Sequence, residues 1–82
     1  MENWTDGQDP AGSPLTATYL RQRMGDAAAS IAVTEDWIAD TLERLARARP
    51  HDAARLRARA ADARDFAAEQ RVRAARYGCL PR

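Results

Sequence analysis

The sequence contains no lysine, so its positive charge rests on 13 arginines. Cysteine and histidine occur once each, phenylalanine once, and glycine four times in 82 residues. Each scarcity closes off a class of protein. A single cysteine, Cys79, cannot form an internal disulfide. Together with the single histidine it cannot supply the four ligands of a structural zinc site. There is no glycine-rich phosphate loop and no serine or cysteine nucleophile with a base at a known motif spacing. His51 falls where a turn is expected, a position that takes a polar residue without any catalytic reason. Catalysis, cofactors, metals and a small-molecule substrate are therefore not expected. No apolar run reaches the length of a bilayer span, and the N-terminus lacks a basic-then-apolar leader. The expectation is a cytoplasmic protein.

Alanine is what the chain has in quantity, 19 of 82 residues. An alanine- and arginine-rich, lysine-free composition is typical of a GC-rich genome, so the bias reports codon usage first and suggests a bacterial source. The distribution of charge is more informative. Met1–Glu43 carries eight acids against two arginines, and Arg44–Arg82 carries eleven arginines against four acids. The overall charge of +1 thus hides an acidic half followed by a basic half.

Residues 1–13 are rich in glycine, proline and acid and read as a flexible arm, in which Trp4 is the one candidate docking residue. A helix is expected over about 14–48, capped by Ser13 with Pro14 in its first turn. Its large apolar residues recur at Leu20, Met24, Ile31, Ile38 and Leu45. With Ala27, Thr34 and Thr41 they alternate by four and three, a heptad seam. Gly25 is expected to weaken the helix, with fraying before residue 26. Pro50 then breaks the helical run, because it disfavours helical geometry at Arg49 and suits the first turn of a new helix. A second helix is expected over about 50–77, offering Ala53, Leu56, Ala60, Ala63, Ala67, Gln70 and Ala74. Residues 79–82 form a short tail.

The fold expected is all-α: an antiparallel two-helix hairpin with an alanine-rich seam and a flexible N-terminal arm, pairing into a four-helix bundle. In the simplest register Ile38 faces Ala60 and Ala61, Ile31 faces Ala67 and Ala68, and Leu20 meets Tyr77. The same register sets Asp40 near Arg59, Glu35 near Arg64 and Asp26 near Arg73.

Apolar residues outside this seam are the functional candidates. Tyr19, Val33 and Trp37 share a second stripe on the first helix, and Val72 points away from the seam on the second. Tyrosine and tryptophan often carry interface energy. The reading is a non-catalytic interaction module, an adaptor or regulatory protein, which associates through the Tyr19, Val33 and Trp37 surface with itself or gives that surface to a larger protein. The alternative is nucleic-acid binding through a ridge of Arg55, Arg59 and Arg73. Asp62, Asp65 and Glu69 lie among those arginines, which weighs against it.

Overall fold

The computed structural model describes residues 14–78; the expected arm, with Trp4 and the Ser13 cap, and the tail with Cys79 lie outside the described residues. Two long helices account for nearly all of it: α1 (Pro14–Ala48) and α2 (Ala53–Gly78), joined by a single 3-10 turn, Pro50–Asp52. Arg49 is extended at φ −131°, ψ 81°, the geometry that a following proline imposes. The Arg49 N–H donates to the Leu45 carbonyl at 2.9 Å, and the Asp52 N–H donates to the Arg49 carbonyl at 3.0 Å. These bonds close the end of one helix and open the next within four residues. The chain reverses, and α1 packs along α2 as a hairpin.

The buried face of α2 is the one its sequence pattern indicates. Leu56, Ala60, Ala63, Ala67 and Gln70 are buried, spaced by four and three. The buried face of α1 is not. Ala28, Ala32, Ala39 and Ala46 are buried, and Gly25, Glu35 and Leu42 fill the intervening places half-buried. Ala39 packs with Ala60 and Ala63, and Leu42 lies against them. This seam runs one residue out of step with the expected series, which turns α1 by about 100°. Leu20, Met24, Ile31, Ile38 and Leu45 are consequently left 38% to 50% exposed.

Two physical reasons favour the alanine seam. Alanine against alanine lets the helix backbones approach closely, because no long side chain stands between them. The rotation also brings the acidic residues of α1 to the side where α2 presents arginine. With the large residues facing α2, those acids would point away from it.

Gly25 belongs to this close approach. A Cβ placed there would sit 3.2 Å from that of Tyr77 and 3.6 Å from the Ala74 carbonyl oxygen. The helix runs through Gly25 without interruption, contrary to the fraying expected there. Gly25 meets Tyr77 there. The helical cost of glycine is offset by contact that a side chain would obstruct.

The resulting core is thin. Among the described residues the buried apolar positions are seven alanines and Leu56. A buried methyl contributes about 0.8 kcal/mol, against about 1.5–3 kcal/mol for a fully buried leucine or isoleucine. The larger side chains that could supply that burial lie beside the seam instead of in it.

Candidate interaction site

The hairpin has two broad sides, and they differ in chemistry. On one, α1 presents Asp36, Asp40 and Glu43, separated by four and three residues so that they share a face. Arg64 of α2 reaches all three. Its Nη2 donates to Asp40 Oδ1 at 2.7 Å and to Glu43 Oε1 at 2.8 Å, its Nε to Glu43 Oε2 at 3.2 Å, and its Nη1 to Asp36 Oδ1 at 3.4 Å. The grip on Glu43 is bidentate, which a guanidinium can make and an ammonium cannot. Arg71 holds the second oxygen of Asp36 at 2.6 Å. The Arg64 hydrogen bond lowers the Glu43 carboxyl below its ordinary value of 4.5, with partial burial opposing. The same hydrogen bonds to Glu43 and Asp40 raise the Arg64 guanidinium further above its already high value.

This network replaces the expected pairings. Asp40 meets Arg64, not Arg59, and Arg64 takes Asp36, Asp40 and Glu43 in place of Glu35. The i, i+4 spacing of Asp40 to Arg44 and Glu43 to Arg47 is not what engages these acids. Both turn across the hairpin. Ion pairs this exposed contribute little each, so the network acts mainly on register and rotation.

The other side is apolar. Met24, Ile31, Ile38 and Leu45 stand at seven-residue intervals along α1 with Leu20 continuing the row, and Phe66 of α2 is 42% exposed on the same flank. Glu35, Ile38, Leu42, Arg59, Asp62, Ala63 and Phe66 line a shallow cleft of about 460 Å³ there. Thr34 and Thr41 border the row. Their hydroxyls donate to the carbonyls of Ser30 at 3.1 Å and Trp37 at 3.0 Å, one turn back in the helix. Such local bonding satisfies the hydroxyl within its own helix. The row and the border residues Ala27, Thr34 and Thr41 are themselves uncharged, and the Arg44 guanidinium donates to the Thr41 hydroxyl at 3.3 Å.

The sequence-nominated interface residues lie elsewhere. Tyr19, Val33 and Trp37 occupy the face of α1 turned away from α2, and Trp37 is 67% exposed. Arg23 engages Tyr19, donating to its hydroxyl at 3.0 Å with the guanidinium carbon 5.8 Å from the ring centre. Val72 is also exposed, but on the face of α2 turned away from α1. By helical geometry these positions fall on opposite edges of the hairpin, so Val72 does not join the Tyr19, Val33 and Trp37 stripe.

Arg55, Arg59 and Arg73 are exposed on the apolar flank of α2. Arg55 pairs with Asp52 at 3.4 Å, and Arg59 borders the cleft together with Glu35 and Asp62. The ridge is thus interleaved with acid. No group of three or more histidine, cysteine, aspartate or glutamate side chains among the described residues is arranged to hold a metal ion. No described helix is long and apolar enough to cross a membrane. No family model, curated protein or solved structure matches this chain.

Proposed function

We propose that this protein is a non-catalytic helical interaction module that self-associates, two hairpins stacking into a four-helix bundle. One observation carries the reading: α1 bears two heptad rows side by side, and the hairpin buries only the row of small residues. The large residues, which would contribute most on burial, are left as a continuous uncharged stripe. A chain this short, with alanines for a core, draws stability from association when no disulfide or metal supplies it. The bundle leaves Tyr19, Val33 and Trp37 on its outer surface, available to a larger protein partner in an adaptor or regulatory role. A bacterial cytoplasm is the setting that goes with this reading.

Thermal unfolding followed by circular dichroism over a hundredfold range of protein concentration tests it. Association that completes the core makes the midpoint rise with concentration. A midpoint independent of concentration would contradict self-association as the source of stability.

A further inference from the structure

The exposed apolar row of α1 has an internal symmetry. Met24, Ile31, Ile38 and Leu45 are evenly spaced, and the centre of the row falls between Thr34 and Glu35. Read in either direction the row presents an end residue, two isoleucines and an end residue. A twofold axis through that centre superposes the row on itself with α1 antiparallel to its copy. Phe66 lies level with the same point, since it lines the cleft with Glu35 and Ile38.

Resting on the self-association reading, we propose that a second copy of this chain covers the apolar flank, α1 packing antiparallel on α1. Ile31 of each copy then faces Ile38 of the other, and Met24 faces Leu45. The two Phe66 side chains meet near the axis. This orientation stacks large residues on large residues. The other twofold stacking, α1 on α2 of the second copy, would set the isoleucines against the arginines and acids of α2.

Area and spacing both suit a second copy. Six side chains of roughly 200 Å² each, exposed by about two-fifths to one-half, present on the order of 500 Å² of apolar surface. The aliphatic stems of Arg55, Arg59 and Arg73 extend the flank beside Phe66. The apolar side chains alone supply more than half of the ~800 Å² that each partner commits to a standard interface. The outer border of the row, Ala27, Thr34 and Thr41, is itself uncharged, while Glu35 stands on its inner border and Arg59 and Asp62 stand beside Phe66. The seven-residue period is that of helix-on-helix packing, so the surface is shaped for a helix and not for a flat partner.

Register is tested with two charge variants of the full chain, Ile31→Glu and Ile38→Arg, examined singly and mixed by sedimentation. Each variant alone places an unpaired charge at the interface twice per dimer. Its dissociation constant should rise at least roughly a hundredfold, with helicity read by circular dichroism at the same time. In an equimolar mixture, the glutamate introduced at position 31 of one copy faces the arginine introduced at position 38 of the other. The unsubstituted Ile38 and Ile31 of the two copies still meet. The proposal predicts that a mixed dimer forms where neither variant dimerises alone. That rescue also shows that both variants retain the fold. A wild-type chain that stays monomeric would remove self-association and the register together. A wild-type dimer with no rescue on mixing, or one indifferent to either charge, would overturn the register and leave self-association to another surface.

Discussion

Gly25 and Tyr77 approach so closely that a Cβ on the glycine would lie 3.2 Å from the tyrosine Cβ. That contact fixes the separation of the helices at the open end of the hairpin, as alanine fixes it in the middle. Gly25→Leu is therefore expected to lower stability by about 1–3 kcal/mol, the usual cost of forcing bulk into a filled space. Urea unfolding measures it. An unchanged midpoint would show that the open end of the hairpin is not held together.

Ala39 and Ile38 are neighbours in sequence with opposite fates, one fully buried in the alanine seam and the other on the exposed row. Ala39→Leu should cost about 1–3 kcal/mol through overpacking, at any protein concentration. Ile38→Ala should act mainly on association, its effect shrinking as the protein is diluted. The two concentration series distinguish the roles directly. Equal behaviour would mean that only one seam exists.

Arg64 anchors three carboxylates, whereas Arg55 pairs with one exposed neighbour, Asp52. Arg64→Ala leaves Asp36, Asp40 and Glu43 close together without their shared cation. It should destabilise the hairpin more than Arg55→Ala does, and the difference should narrow in high salt as repulsion among the acids is screened. Parallel denaturation of the two variants gives the comparison; equal losses would remove Arg64 from its role in setting the rotation of α1.

Stability should also fall with acidification. Glu43 has its carboxyl value depressed by Arg64, so the folded state holds fewer protons than the unfolded chain near pH 4.5. The contribution is fully present above that pH and is lost as the pH drops through the lowered value. Glu43→Gln should flatten this part of the stability profile. A profile identical to wild type would show that Glu43 is not linked to folding.

The hairpin itself was legible in the chain. Pro50 marks the reversal, and of the two alanine rows of α2 the one that holds Leu56 carries no charge, whereas the row of Ala54, Ala58, Ala61 and Ala68 is interrupted by Asp65. On α1 two rows with the same three-four alternation lie one residue apart. Reading by size selects Ile31 and Ile38, because large apolar residues ordinarily go inside. The choice in fact depends on the partner helix: α2 offers alanine to pack against and arginine to pair with, and both demands rotate α1 toward Ala32 and Ala39. The signal was present in the row Asp36, Asp40 and Glu43, whose position around the helix requires that rotation to meet Arg64.

Among the candidate site residues, the exposure of Tyr19, Val33 and Trp37 follows from their spacing. The apolar flank is not legible where size alone sends Ile31 and Ile38 to the core. Val72 illustrates a further limit. Pointing away from the seam does not say toward which edge, and only the packed hairpin separates the outer edge of α2 from that of α1.

Everything proposed for this chain turns on whether the exposed row of α1 is a second seam, closed by another copy. Sedimentation equilibrium reads this from the solution mass of the wild-type chain across a broad concentration range, beside the same series for Ile38→Arg. A second seam gives a wild-type species of twice the chain mass and a variant that falls to single-chain mass at the same concentrations. A wild-type chain that remains folded at single-chain mass up to the highest concentration would rule that seam out.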